Sequence, residues 1–250
     1  MASFVIEHFI EEANQAKSTE DVSALFAKAL KSFGYDRFCY SLITDHPSVG
    51  LRAGHGIAEN YPDDWMAHYR ANKYEKIDPV PRRGLMISKP FTWDWLENTR
   101  ELKTEEKQVM NEAREARLFD GVAIPFIGHN GEVAGIGLAS SVGKIKPDIN
   151  LVSRLRMLAS QFHAVFIELE RKDSETESDA VVHLTSREQE ILLWAAEGKS
   201  DSIIAEIIGI SHATVRFHMN NIFKKLNANE RTLATVKAIR HGLILPSYVG

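Results

Sequence analysis

Cysteine is nearly absent: Cys39 stands alone in 250 residues. An internal disulfide and a Cys-based metal cage are excluded, and a reducing compartment, the cytoplasm, is expected. Cys39 sits between Phe38 and Tyr40 in an expected strand, the setting of a buried core thiol rather than a nucleophile. No run of about 18 apolar residues occurs, so no membrane span is expected. The first residues lack a basic stretch followed by an apolar core, so no export signal is expected. The ten histidines show no ligand spacing such as HxxxH with a carboxylate, and neither GxSxG nor HxHxD is present. No metal, no cofactor and no catalytic residue is expected.

Acids are scarce at one end. Residues 211–250 hold one acid, Glu230, against six Lys/Arg, whereas residues 1–182 carry 28 acids against 22 bases. An acidic larger part joined to a mildly basic smaller one fits a sensor attached to a reader of nucleic acid. Just ahead of that end, Leu184–Leu226 reads LTSREQEILLWAAEGKSDSIIAEIIGISHATVRFHMNNIFKKL. Thr185 with Glu188 three residues on is a capping box. Ile191, Leu192, Trp194 and Ala195 give an apolar face, and Gly198 supplies the left-handed stop. Ser200 or Asp201 opens a second helix with Ile203, Ile204, Ile207 and Ile208 at helical spacing, and Gly209-Ile210-Ser211 turns the chain into a third.

In that third helix Val215, Met219, Ile222 and Leu226 fall on one side. Ala213, Phe217, Asn220 and Lys224 then face away, flanked by Thr214, Arg216 and Asn221, with Ser211 at the cap. Arg suits guanine, Asn suits adenine, and Ala or Phe can touch a thymine methyl. Lys224 and Lys225 are expected near phosphates. A plain three-helix packing module is the alternative; an exposed Phe217 on a polar face argues against it. This is the order of a helix-turn-helix that reads double-stranded DNA.

The first 167 residues mix helix and strand. Helices are expected over 4–16, after Ser18 to Gly34, over 62–72, over 103–116 and from near Asp148 to Ile167; strands are expected over 37–44, 120–127 and 132–140. The last two strands flank an Asn-Gly hairpin signal. The expected fold class is α+β: an α/β/α sandwich with an antiparallel sheet, followed by a small all-α helix-turn-helix domain. The expected domains are residues 1–170 and 183–250. Between them the Ser/Thr/acid-rich residues 171–182 read as a linker.

Residues 61–95 concentrate large side chains with polar handles: Tyr61, Trp65, Tyr69, Tyr74, Trp93 and Trp95. Such walls suit a small-molecule cavity and equally an aromatic core in which Asp78 is a capping carboxylate. The stretch YPDDWMAHYRANKYEKIDPV, then PFTW and Gly121, resembles the autoinducer-binding domain of LuxR-type quorum-sensing regulators. Residues 184–226, with Glu188, Leu192 and Gly198, resemble the DNA-binding domain of the same family, so the resemblance spans nearly the whole chain.

The resemblance implies a transcription regulator whose ligand is an N-acyl-homoserine lactone, with an alkyl or aryl acyl group. It places Tyr61, Trp65, Tyr69, Asp78 and Trp93 in the pocket, and Pro79 and Gly121 at fold positions. Trp65 would donate to the lactone carbonyl, Tyr61 to the acyl carbonyl, Asp78 would accept from the amide N–H, and Trp93 would cover the ring. Where some family members have a hydroxyl, the strand GIGLAS has Ala139, and the adjacent Ser140 is the candidate contact. Phe38, Tyr40, Ile43, Leu51 and Val122 are the candidate acyl-tail residues. A homodimer on a two-fold symmetric DNA site is expected, paired through residues 232–245, with the transcription machinery as a further partner and no membrane. The alternatives are a phosphorylation-switched response regulator, which the N-terminal helices and hairpin disfavour, and an acyl-lactone-processing enzyme, which lacks a nucleophile motif.

Overall fold

A computed structural model of the chain describes residues 2–46, 50–128, 131–143, 145–174 and 182–245. Among the described residues the chain divides into two compact units, one built from residues before 175 and the other chiefly from residues 182–245. The first unit runs α1 (Ala2–Ala13), α2 (Thr19–Lys31), β1 (Arg37–Leu42), β2 (Gly54–Glu59), α3 (Asp63–Ala71), α4 (Pro79–Gly84), β3 (Phe91–Thr92), α5 (Trp93–Thr99), α6 (Thr104–Glu115), β4 (Phe119–Ile127), β5 (Val133–Ser140) and α7 (Ile149–Ser174). Its five strands pair antiparallel in the order β2-β1-β5-β4-β3. The expected antiparallel sheet between helical layers is present.

What divides the two layers is side-chain size. Phe38, Tyr40 and Leu42 of β1, Val122 and Ile124 of β4, and Ala134, Ile136 and Leu138 of β5 join one core with α1, α2 and α7. Successive strand residues point to opposite faces. The other face therefore presents Cys39 and Ser41, Gly121, Ala123 and Pro125, and Gly135, Gly137 and Ala139. Large residues fill one layer, and small ones leave room in the other. Over the small face lie the aromatic residues of α3 and α5 and the apolar side of α6, Val109, Met110 and Ala113.

Local chemistry sets the element ends. The Ser18 hydroxyl accepts from Asp21 N–H at 3.1 Å and starts α2. Four short elements were not expected from the sequence: β2, α4, β3 and α5. GHGIAE at the sheet edge has little apolar patterning, and PVPRRG reads as loop because prolines dominate it. Residues 171–174, expected in the linker, extend α7 instead. Nothing in Arg171-Lys172-Asp173-Ser174 is Gly or Pro, so helix propagates through it. The expected linker residues 175–181 lie outside the described residues, as do Asn130 and His129 of the hairpin signal.

The second unit holds α8 (Ser186–Ala196), α9 (Asp201–Ile208), α10 (His212–Lys225) and α11 (Arg231–Arg240). The Thr185–Glu188 capping box is formed in both directions. Ser200, not Asp201, caps α9. Gly209 (φ 68°) takes the left-handed conformation that reverses the chain, and Ser211 accepts from Thr214 N–H at 3.1 Å to open α10.

Candidate functional site

The small face of the sheet and the aromatic helices above it enclose about 720 Å³, mouth included. Most of that figure is open solvent and the gaps between atoms; the cavity proper is a narrow one of about 80 Å³. Tyr61, Trp65, Tyr69, Asp78 and Trp93 all line it, together with Val80, Phe91, Val109 and Met110. Gly121 is why Trp93 fits: a Cβ there would lie 2.1 Å from Trp93 Cε2. The Trp93 indole N–H is buried with no hydrogen-bond partner among the described residues. A buried donor without an acceptor costs roughly 1–3 kcal/mol, which an acceptor on a bound molecule would offset. Gly137 does for Tyr61 what Gly121 does for Trp93, its Cβ direction ending 3.1 Å from the Tyr61 hydroxyl.

Asp78 has two roles. Its Oδ1 accepts from Val80 N–H at 2.8 Å and caps α4, with Pro79 at the first turn where no N–H is missed. Its Oδ2 accepts from the Tyr69 hydroxyl at 2.9 Å, inside the cavity. Burial raises its pKa to about 6, against the pull of those two hydrogen bonds. Asp78 thus caps α4 and lines the cavity at once.

Ser140 is not brought into the cavity. It lies on the other face of β5 from Ala139, and its hydroxyl accepts from Val142 N–H. The same parity corrects the tail residues. Phe38, Tyr40 and Val122 point into the α1–α2–α7 core and Leu51 packs against it, so only Ile43 of that set lines the cavity. In their place the wall carries Cys39, Ser41 and His55. His55 Nδ1 is 3.1 Å from Ser41 Oγ, its Nε2 is 3.5 Å from Cys39 Sγ, and its ring stacks on Tyr69 at 4.2 Å. Sequence reasoning missed Ser41 because the opposite face of β1 was taken as the tail wall, and missed His55 because β2 was not recognised, without which nothing brings residue 55 beside β1.

A cysteine beside a histidine invites a nucleophilic reading. Burial pushes the Cys39 thiol up to about 12 and His55 down to about 4. The proton stays on sulfur and the imidazole stays neutral, which is the reverse of an activated thiolate.

On α10, Val215, Met219 and Ile222 are buried against α8 and α9, with Leu226 beside them. Ser211, Ala213, Arg216, Asn220 and Lys224 are exposed, Thr214 and Asn221 half-buried, and Phe217 is 61% exposed. Thr214 Oγ1 is 2.8 Å from Ser211 Oγ, so these two hydroxyls belong to the cap. The expectation for Lys225 is corrected: its Nζ donates to Glu188 Oε2 at 2.7 Å, which fixes α10 to the start of α8. Arg231 pairs with Asp201, and Lys237 caps the end of α10 through Leu226 and Asn227 carbonyls. Half of the basic residues counted in 211–250 are thus structural. The helix expected over 232–245 is shorter: α11 ends at Arg240, Gly242 turns the chain with φ 65°, Ala234 and Ala238 face the core, Ile239 and Leu243 pack against it, and Val236 is exposed.

Two family models match the chain. The autoinducer binding domain matches residues 18–166, and the bacterial regulatory proteins of the luxR family match residues 182–238. The chain is similar to the transcriptional activator protein SolR of Ralstonia solanacearum, 32% identical over 237 residues that cover 91% of this chain and 95% of that one. It is similar to the quorum-sensing regulator RhlR of Pseudomonas aeruginosa, 30% identical over 93% of each chain. Among solved structures it resembles Escherichia coli SdiA, with a TM-score of 0.70 and 26% identity over 96% of this chain and 98% of that one.

Proposed function

The chain belongs to the luxR family of bacterial regulatory proteins, an autoinducer-binding and DNA-binding transcription regulator of the quorum-sensing kind, and from that premise we propose how it holds its ligand and its DNA. The ligand is an N-acyl-homoserine lactone. Trp65 N–H donates to the lactone carbonyl, Asp78 accepts from the amide N–H, the Tyr61 hydroxyl donates to the acyl carbonyl, and Trp93 covers the ring. The observation that carries this reading is the convergence of one acceptor, Asp78, and the donor-bearing side chains Tyr61 and Trp65 on a single cavity whose lid is Trp93. Tyr69 holds the Asp78 carboxylate in place.

The regulator acts as a homodimer in the cytoplasm, each α10 entering a major groove of a two-fold symmetric site. Arg216 and Asn220 read bases, Phe217 and Ala213 contact thymine methyls, and Lys224 meets phosphate. Ser211, Thr214 and Asn221 frame the helix start and flank. One small helix-turn-helix covers few base pairs, so two half-sites supply affinity and specificity.

Purification with candidate lactones, followed by mass analysis of what the protein retains, tests the ligand. A receptor returns the lactone intact at its starting mass. A hydrolysed or acyl-transferred product would overturn the receptor reading in favour of an enzyme.

A further inference from the structure

The cavity proper, about 80 Å³, is well below the roughly 300–1,000 Å³ of a small-molecule site, so a wall has to give before such a ligand enters. The sheet is not that wall, because β1, β5 and β4 each pair with a strand on both sides. α4 and α5 lie close against β4. α3 is fixed to the floor by Tyr69, which stacks on His55 and donates to Asp78.

α6 is held differently. It covers the cavity with Val109, Met110 and Ala113, yet among the described residues no other helix or strand runs close along its backbone. Its polar ties run sideways. Glu106 accepts from Arg100 at 2.7 Å just ahead of the helix, and Arg114 pairs with Glu97 of α5. Towards α3, Glu112 gathers the ties into one cluster. Its Oε2 accepts from the Tyr74 hydroxyl at 2.6 Å and lies 2.8 Å from His68 Nε2, while its Oε1 accepts from Gln108 at 2.8 Å. Gln108 also donates to the Tyr74 hydroxyl at 3.3 Å.

Tyr74 belongs to the α3 side: it lies in the short turn Tyr74–Lys76, and its ring meets Tyr69 edge-on at 5.8 Å. The seam between α3 and α6 is thus apolar towards the cavity and polar outside. His68 is exposed and Glu112 half-buried, so water can take over these hydrogen bonds when the helices part. Hydrogen bonds from Tyr74 and Gln108 hold the Glu112 carboxyl below the usual carboxylate range, so the ties are made to a charge and are of the stronger kind.

We propose that α6 is a moving lid over the cavity and that Glu112, with His68, Tyr74 and Gln108, is its latch. None of these four side chains lines the cavity, so the latch is made alike with and without a ligand. Loosening it populates the open form in both cases: entry and exit speed up together, and affinity stays where it was. Loss of a ligand contact instead raises the exit rate and weakens binding. The lid needs only the cavity, whatever occupies it.

Cys39, the chain's one cysteine, is buried on the cavity floor and reports opening without any ligand. Its labelling by methyl methanethiosulfonate is followed by mass on the full-length protein at one pH. Glu112→Ala removes the hub and should label at least about fivefold faster, the scale of a lost hydrogen bond. Tyr74→Phe keeps the ring on Tyr69, loses only the hydroxyl and should label about two- to threefold faster. Glu105→Ala, at an exposed position of α6 outside the cluster, should change nothing. A lid exposes little surface, so the acceleration should depend weakly on urea, whereas labelling through global unfolding rises steeply. Unchanged labelling in both latch variants, a urea dependence as steep as that of unfolding, or the same acceleration in Glu105→Ala overturns the latch. A second arm uses the tightest binder among N-butanoyl, N-octanoyl and N-dodecanoyl homoserine lactone, with stopped-flow fluorescence of Trp65 and Trp93. The association and dissociation rates should rise by the same factor in Glu112→Ala, leaving Kd within about twofold. A change in Kd carried by dissociation alone also overturns the latch. If none of the three binds, the lactone reading falls, and Cys39 labelling still decides the lid.

Discussion

Asp78 concentrates the chemistry of the pocket in one carboxylate. Asp78→Asn keeps the volume and the Oδ1 acceptor that caps α4, so the fold should survive. It loses the charge that strengthens a bond from the ligand amide, and charge-assisted bonds are roughly twice as strong as neutral ones. Lactone binding should weaken at least about tenfold, equivalent to about 1.4 kcal/mol, and most of the ligand-induced rise in Tm should vanish. A full rise at sub-saturating lactone would leave Asp78 as a cap alone. The pH dependence follows from burial raising this group to about 6 in the folded state. The folded, empty protein holds the proton more tightly than the unfolded chain, so its stability falls as pH rises from about 4 to 6. The ligand amide donates more strongly to the ionised form, so affinity should be full above pH 6 and fall below it, towards the level of Asp78→Asn. Titrations at pH 5 and 7.5 would show this, and equal Kd values would contradict it. Gly121→Ala acts through shape: its methyl collides with the Trp93 indole. We expect lactone binding to be lost and the fold to be destabilised by about 1–3 kcal/mol, measured by denaturant unfolding.

At the scale of elements, the two adjacent lysines of α10 part company. Lys224 is exposed without a partner among the described hydrogen bonds, whereas Lys225 is paired with Glu188, which is 3% exposed. Lys224→Ala should weaken binding to all DNA sequences alike and lower the salt slope by about 1. Lys225→Ala should act on stability, by about 1–3 kcal/mol, because a buried carboxylate loses its charged partner. Salt-dependent gel shifts and thermal unfolding separate the two, and equal effects on both readouts would deny the distinction. Arg216→Ala should instead cost about 1–3 kcal/mol on the matched site only. The caps, stops and apolar stripes of α8 to α10 were legible because each depends on residues within four positions of one another. The sandwich was legible in outline from its longer helices and its hairpin. The pocket's aromatic residues were legible through resemblance, but its floor was not. A one-residue step along a strand changes the face, and that parity separates Ala139 from Ser140 and Cys39 from Phe38 and Tyr40. His55 was out of reach for a further reason: its neighbours come from an edge strand of six residues with two glycines.

The whole molecule joins two cores, and their independence is testable. The second unit has its own apolar centre, built from Leu184, Ile191, Leu192, Ile204, Val215, Met219, Ile222 and Leu226 with the alanines of α11. A fragment of residues 175–250 should therefore fold alone, with a helical circular dichroism spectrum and a cooperative melt that lactone does not move. A single core of this size supplies only about 3–5 kcal/mol, so the melt should be broad and low compared with that of the full chain. The fragment should bind a half-site weakly. The full-length protein with its ligand should bind a paired site far more tightly, because the second contact becomes intramolecular once the first is made. That gain depends on both α10 helices meeting the same side of the duplex. Inserting about 5 base pairs between half-sites, half a helical turn, should abolish most of it, and inserting about 10 should restore part. A gain that ignores the spacing would place the source of affinity outside the proposed dimer.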